Sequence, residues 1–113
     1  MKMIAAYIKP NMLSKVAVAL HDVEGLTGLS VTKIQGFGRS RAKGAENRIV
    51  ENLVEYVAHL KVEIFCRDEH TDKIVSIIQT NAHTGLRGDG KIYVVNVERA
   101  VRISTGEAGE NAV

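Results

Sequence analysis

The sequence predicts an α+β fold of the ferredoxin-like βαββαβ type, an antiparallel sheet with both helices packed on one face. Apolar and polar residues alternate over residues 60–66, which indicates a half-buried strand. Apolar residues recur at helical spacing over residues 11–23 and 71–83, which indicates two amphipathic helices. The patterns follow one another as strand, helix, strand, strand, helix, strand, which is the order of that fold.

The first half of the chain supplies a strand, a helix and a second strand. The first strand covers residues 1–9 and ends at Pro10, because proline lacks the N–H that a strand ladder needs. Asn11 is a suitable N-cap for the helix over 11–23. Glycine residues then turn the chain into a second strand over 29–37.

The second half repeats this arrangement. The third strand is predicted at 60–66, the second helix at 71–83 and the fourth strand at 91–97, a run rich in β-branched residues. An extended continuation is predicted over 98–103. The chain is therefore interpreted as a single domain covering residues 1–113.

Two segments are too polar to belong to the core. Residues 39–55 lie between the second and third strands, where a hairpin needs only a few residues. A polar excursion of this length is either disordered or a functional loop. Residues 104–113 are rich in Gly, Glu and Asn and are predicted to form a mobile tail.

Composition excludes several classes of protein. No apolar run approaches the ~20 residues that span a bilayer, and the N-terminal apolar stretch is too short for a secretory signal. Cys66 is the only cysteine, so no internal disulfide forms, which fits the cytoplasm. A net charge of +2 and the absence of Trp argue against nucleic acid as a partner.

Two glycine-rich turns end in a basic residue: Gly36-Phe37-Gly38-Arg39 and Gly88-Asp89-Gly90-Lys91. Glycine lets a backbone approach a ligand closely, and successive N–H groups in such a turn form a concavity that holds anions. The Arg or Lys that follows adds a full positive charge. Together the turns suggest a phosphate-bearing ligand such as a nucleotide, although each alone is compatible with an ordinary tight turn.

These turns belong to a longer set of stretches: Ile8-Lys9-Pro10, Gly25-Leu26-Thr27-Gly28-Leu29-Ser30-Val31, Lys61-Val62-Glu63-Ile64, residues 84–94, Val101-Arg102-Ile103 and Thr105-Gly106-Glu107. In this order, over nearly the whole chain, they resemble the PII signal-transduction family. Members of that family are trimeric nucleotide sensors of nitrogen and carbon status. The stretch over 84–94 is the most specific of the matches.

The resemblance implies a homotrimer with ATP or ADP, and AMP as a further candidate, in the clefts between subunits. By position, the nucleotide site comprises Gly36, Phe37, Gly38, Arg39, Ile64, Gly88, Asp89, Gly90, Lys91 and Arg102. Arg102 corresponds to an arginine that reaches phosphates from the adjacent protomer. The resemblance implies no other cofactor and leaves Mg²⁺ open.

The resemblance also implies a regulatory protein rather than an enzyme. The family's long loop docks onto target proteins, commonly membrane transporters or metabolic enzymes. Here that effector loop covers residues 39–55 and carries the basic residues Arg41, Lys43 and Arg48. The expected function is a non-catalytic nucleotide-sensing signalling protein that controls such a target.

The chain departs from the family pattern at positions that concern other ligands and modification. Residues 47–52 lack the tyrosine that is uridylylated in some members. Ser40 replaces a Gln that helps bind Mg²⁺ and 2-oxoglutarate, and His59 replaces a Lys that pairs with the 2-oxoglutarate carboxylate. Ser104 replaces a second phosphate-contacting arginine. Nucleotide binding without uridylylation, and with poor binding of 2-oxoglutarate, is therefore expected.

Other interpretations fit the residues less well. The run from Gly85 to Lys91 nearly spells a Walker A loop, but Ile92 replaces its Ser/Thr and a strand follows instead of a helix. The four histidines and Cys66 match no common metal-ligand spacing, and Cys66 is best explained as a core residue. The alternatives are a ferredoxin-like trimer that binds a metal or small anion, and a weak nucleotide hydrolase with Asp89 as general base.

Overall fold

The structure is a computed structural model that describes residues 1–36 and 57–113. Its strands are β1 (Lys2–Ile8), β2 (Ser30–Gly36), β3 (Val57–Cys66) and β4 (Lys91–Asn96), and its α-helices are α1 (Leu13–Leu20) and α2 (Asp68–Ala82). Short 3₁₀ helices lie at Pro10–Met12 and Glu110–Ala112. In these ranges no helix is both long enough and apolar enough to cross a membrane. The predicted ferredoxin-like α+β fold is confirmed.

All neighbouring strands of the sheet are antiparallel, in the order β2-β3-β1-β4. At one end of β1, Lys2 lies opposite Cys66 of β3 and Asn96 of β4. At the other end, Tyr7 lies opposite Lys91 of β4. This register determines which candidate site residues lie at which end of the sheet.

One face of the sheet and both helices form the core. The alternation predicted for the third strand is confirmed, because every second residue is buried: Leu60, Val62, Ile64 and Cys66. The matching positions of β1 are Ile4, Ala6 and Ile8, and the helices contribute Val16, Leu20, Ile74 and Ile78. Both helices therefore cover the same face and leave the other face, called the outer face below, without a layer among the described residues.

The first helix is shorter than the prediction over 11–23. Residues Pro10–Met12 form a 3₁₀ turn, and Asn11 lies within this turn instead of capping the helix. The α-helix itself covers only Leu13–Leu20. Beyond it, the Val23 N–H donates to the carbonyl of Leu20, three residues back, at 3.1 Å. This tighter bond takes the place of α-helical bonding at the helix end.

The second helix begins at Asp68, three positions before the predicted start at 71. Its first turn contains no apolar residue, so the hydrophobic period does not reveal it. The acidic side chains of Asp68 and Glu69 occupy this turn, where they interact favourably with the helix dipole. The ammonium group of Met1 lies 2.7 Å from the Asp68 carboxylate and holds the helix start against β1.

β4 ends at Asn96, and residues 98–103, which were predicted to be extended, do not form a strand of the sheet. The register with β1 ends at Asn96, so a longer β4 would have no strand to pair with. Val101 instead forms an isolated bridge with Ala108, in a hairpin that places the C-terminus near the β1 start. Residues 104–113 are thus folded back on the domain, and their mobility stays a prediction.

Candidate functional site

The second glycine-rich turn, residues 84–91, connects α2 to β4 and is held together by Asp89. The Asp89 carboxylate accepts hydrogen bonds from the Thr84 main-chain N–H at 2.9 Å and from the Thr84 hydroxyl. The Lys9 ammonium lies 3.3 Å from the same carboxylate and 3.2 Å from Thr84 Oγ1. Lys9 thereby ties the turn to the end of β1.

These contacts determine the protonation state of Asp89. The hydrogen bonds from Thr84 hold the pKa of Asp89 well below its usual value, and Lys9 acts in the same direction. The carboxylate is therefore ionised at physiological pH and accepts protons poorly. A general base works best when its pKa is near the operating pH. Asp89 is suited to stabilising the turn, and its environment argues against a hydrolase that uses it as the base.

Gly90 brings the turn directly against β1. Its φ is +103°, and a Cβ at this position would lie 1.6 Å from the carbonyl oxygen of Tyr7. No side chain fits in that space, so the close approach requires glycine. The contact fixes the point at which Lys91 enters β4 opposite Tyr7.

The turn presents hydrogen-bond donors and a cation to solvent. Arg87, Gly88 and Lys91 are exposed, and the N–H groups of Arg87 and Gly88 have no acceptor among residues 1–36 and 57–113. Within those ranges the Lys91 ammonium forms no ion pair. Main-chain donors beside a lysine are suited to an anion. The assignment of Gly88, Asp89, Gly90 and Lys91 to a nucleotide stays a prediction that this arrangement supports.

Two histidines also contact the turn. The His59 Nε2 lies 3.2 Å from the carbonyl oxygen of Gly88, and the His83 Nδ1 lies 3.4 Å from the Asp89 carboxylate. Since a carbonyl oxygen only accepts, Nε2 of His59 is the donor. The resemblance marked His59 as a departure, but no pattern in the sequence indicates that it contacts a turn 29 positions away.

Arg102 lies in the C-terminal hairpin. Its Nη2 donates to the main-chain oxygen of Asn111 at 3.1 Å, and its Nη1 lies 3.7 Å from the Glu107 carboxylate. The Asn111 side chain in turn accepts from Arg67 at 2.8 Å. Arg67 directly follows Cys66, the residue opposite Lys2, so these contacts place Arg102 at the Lys2 end of the sheet.

Arg102 and Lys91 therefore lie at opposite ends of one sheet. Lys91 is opposite Tyr7, while Arg102 is beyond the end of the sheet marked by Lys2. Tyr7 and Lys2 are separated by five steps along β1, or roughly 17 Å at the usual rise of a strand. Within one protomer, the two predicted phosphate-binding cations do not face the same phosphate group.

A cleft of about 470 Å³ lies at the Lys2 end, on the Arg102 side of the molecule. Among the residues that line it are Gly28 and Ser30 at the start of β2, Glu63 and Phe65 of β3, and Arg99. The stretch over residues 25–31 matched the family by its residues, but no cleft was predicted there. The cleft is formed by segments distant in sequence, and no local pattern reveals it.

A family model described as nitrogen regulatory protein P-II matches residues 1–107 of the chain. The chain belongs to the P-II family. It is 44% identical over 113 residues to nitrogen regulatory protein P-II of Pasteurella multocida, and 43% identical over 113 residues to that of Azospirillum brasilense. It is 38% identical over 113 residues to nitrogen regulatory protein GlnK of Escherichia coli K12. Each alignment covers 100% of both chains.

The resemblance to P-II proteins is thus confirmed over nearly the full chain. A P-II protein is by description a nitrogen regulatory protein, which places this chain among regulatory signalling proteins. The fold agrees, because the sheet order and the two helices on one face are those expected for the family.

The remaining predicted site residues of this P-II chain fall into two groups. Gly36 ends β2 opposite Val57, at the same end of the sheet as Lys91. The Ile64 side chain is completely buried in the core, so only its main-chain atoms can contact a ligand. The other positions lie outside the described residues: Phe37, Gly38, Arg39, Ser40, Arg41, Lys43 and Arg48.

Metal ligands do not converge in the described part of this P-II chain. Residues 1–36 and 57–113 contain no group of three or more His, Cys, Asp or Glu residues that could hold a metal ion. Cys66 is buried beside Thr71, with 3.5 Å between Sγ and Oγ1. This agrees with the interpretation of Cys66 as a core residue.

Proposed function

We propose that this P-II protein is a non-catalytic regulator that senses adenine nucleotides, ATP and ADP above all, at sites between the protomers of a homotrimer. Nucleotide occupancy would control a target protein, a membrane transporter or a metabolic enzyme, through the effector loop over residues 39–55. The part of this proposal that concerns the loop rests on the family resemblance. The parts that concern the adenine nucleotide and the homotrimer rest on the same resemblance, and the geometry of the described residues supports an anion site at the 84–91 turn.

The observation that carries the proposal is the separation of Lys91 from Arg102. Both are positioned as anion-binding cations, yet they lie at opposite ends of the sheet in one protomer. If neighbouring protomers meet head to tail, the Lys91 end of one approaches the Arg102 end of the next. A nucleotide between them would place its phosphates on the 84–91 turn, and Arg102 would reach them from the other side.

The outer face of the sheet supports assembly. Phe65, Tyr93 and Val95 lie on this face and are 46%, 51% and 48% exposed. Tyr7 lies beside Tyr93 in an edge-to-face arrangement, with ring centroids 5.9 Å apart. Contiguous exposed apolar surface on a sheet is typical of protein–protein contact. A second and a third copy of the chain would cover it.

The chemistry of the turn favours binding over catalysis. Thr84 and Lys9 lower the pKa of Asp89, so its carboxylate is a weak base. The two exposed N–H groups and Lys91 bind charge without transferring a proton. We therefore expect a bound nucleotide to be released unchanged, with Mg²⁺ adding affinity only where it bridges phosphates.

Complementation between two variants tests the intersubunit site. Lys91→Ala and Arg102→Ala homotrimers should each bind ADP about ten- to a hundredfold more weakly, because each loses one charge-assisted contact. When the two are unfolded together in equal amounts and refolded, about a quarter of the sites should combine an intact turn with an intact Arg102. Calorimetry should then detect tight binding at that fraction of sites.

Four results would contradict the proposal. If both variants bind ADP like the unsubstituted protein, the nucleotide site lies elsewhere. If mixing restores no site, the two residues do not act across an interface. If light scattering gives the 12.3 kDa chain mass instead of about 37 kDa, three times that mass, the assembly is wrong. Release of phosphate from ATP would favour the hydrolase alternative.

A further inference from the structure

His59 holds the main chain of the 84–91 turn, whereas Lys9 and His83 contact its side chains. The Nε2 of His59 donates to the Gly88 carbonyl at 3.2 Å. His59 lies on the outer face of β3, two residues after the strand begins at Val57. Its side chain is half-buried, so the contact lies near the end of β3, beside solvent.

Gly88 is an exposed residue of the turn with few neighbouring atoms. Its φ is +80°, and among the described residues a Cβ at this position would meet only Lys9 Cε, at 3.8 Å. Neighbouring atoms therefore do little to restrict the backbone torsions of Gly88. Its N–H has no acceptor among residues 1–36 and 57–113. In those ranges the His59 bond is the one hydrogen bond made by the Gly88 main chain.

On the basis of the proposed function, we infer that His59 is a positioning residue of the phosphate site. By holding the Gly88 carbonyl, it fixes the turn so that the N–H groups of Arg87 and Gly88 and the Lys91 ammonium bind the terminal phosphate of a nucleotide together. It also compensates the carbonyl dipole, whose negative end would otherwise oppose a nearby phosphate.

Titrations of the full-length trimer with ADP at about pH 8, where the terminal phosphate is fully ionised, test the inference. His59→Gln keeps a donor for the Gly88 carbonyl, so it should bind ADP about as tightly as the unsubstituted protein. His59→Leu removes the donor and should bind about tenfold more weakly. His21→Gln, at the exposed end of α1, should behave like the unsubstituted protein.

The outcomes separate this inference from the nucleotide proposal. If the unsubstituted protein binds tripolyphosphate but not ADP, the nucleotide proposal fails and the variants are compared with tripolyphosphate instead. If neither binds, both fail. If His59→Leu binds as tightly as the unsubstituted protein, or His59→Gln binds as weakly as His59→Leu, then His59 does not position the turn through its donor. Thermal melting of each variant shows whether a loss of affinity reflects unfolding.

Discussion

Arg102 and Glu107 form an ion pair inside the C-terminal hairpin, with 3.7 Å between Nη1 of the arginine and Oε1 of the glutamate. The same guanidinium donates to the main-chain oxygen of Asn111. A phosphate that reaches Arg102 must therefore compete with a carboxylate of the same chain. Both side chains are about half exposed, so the competition is weak but measurable.

Removal of the Glu107 charge should therefore strengthen nucleotide binding. We expect Glu107→Gln to bind ADP about two- to threefold more tightly than the unsubstituted protein, because an exposed ion pair contributes a free energy of this size. The gain should shrink in high salt, which screens the pair. Glu110→Gln, nearby on the tail, is the matched control and should change little. Weaker binding by Glu107→Gln would show instead that the pair orients Arg102 for its ligand.

Substitution of Gly90 should be far more damaging than substitution of Gly85. A Cβ on Gly90 would overlap the Tyr7 carbonyl at 1.6 Å, whereas a Cβ on Gly85 would meet no atom of the described residues within 4 Å beyond its own neighbours in the chain. Both residues have positive φ, at +103° and +81°. We expect Gly85→Ala to lower the free energy of unfolding by about 1–2 kcal/mol from backbone strain alone. Gly90→Ala should lose about 3 kcal/mol or more, because it adds a clash that the strands must move to relieve.

Urea denaturation at one fixed protein concentration measures both changes, since assembly makes stability depend on concentration. Equal losses in the two variants would show that strain dominates and that the contact between Gly90 and β1 is easily relieved.

The Asp89 carboxylate should contribute to stability above pH 4 and lose that contribution in acid. Its pKa is lowered in the folded protein by the Thr84 hydrogen bonds and by Lys9, and an unfolded aspartate titrates at about 3.9. A group with a lowered folded pKa stabilises the protein above its unfolded pKa. The difference in unfolding free energy between the unsubstituted protein and Asp89→Asn should thus be constant from pH 5 to 8 and shrink below about pH 4.

Denaturation curves over this pH range, with Asp22→Asn on the exposed end of α1 as control, provide the measurement. A difference that stays unchanged down to pH 2.5 would mean that the Thr84 and Lys9 contacts do not lower the pKa of Asp89 in the folded protein.

Local patterns in the sequence were sufficient for most of the fold. The alternation over residues 60–66 predicted the buried face of β3, and the elements were found in the correct order. The predicted starts of the two helices were wrong because local chemistry there competes with the hydrophobic period that predicts a helix. A 3₁₀ turn over Pro10–Met12 precedes α1, as is common at the ends of α-helices. The first turn of α2 is polar and is marked only by Asp68 and Glu69.

Only the anion-binding turn of the candidate site was predictable from the sequence. Glycines followed by Lys91 mark an anion-binding turn in the sequence itself. The contact between Lys9 and Asp89 joins residues 80 positions apart and depends on the β1–β4 register. The position of Arg102 at the opposite end of the sheet depends on that same register. No local pattern encodes it, and only the family resemblance pointed to a site between subunits.

We expect this protein to bind 2-oxoglutarate poorly. The family pattern places a Lys at the position of His59 to pair with the keto-acid carboxylate, and here the His59 Nε2 is already engaged by the Gly88 carbonyl. Ser40, where the family has a metal-binding Gln, lies outside the described residues. Two lost charge-assisted contacts correspond to a loss of about 3–6 kcal/mol in binding free energy if they are independent, although neighbouring groups often couple.

The double variant Ser40→Gln/His59→Lys should therefore gain 2-oxoglutarate binding in the presence of Mg²⁺ and ATP, and each single variant should gain less. Calorimetry at pH 7.5 compares the four proteins, with ADP affinity as the control for an intact turn. Tight binding of 2-oxoglutarate by the unsubstituted protein would show that His59 and Ser40 serve this ligand as well as the family residues do.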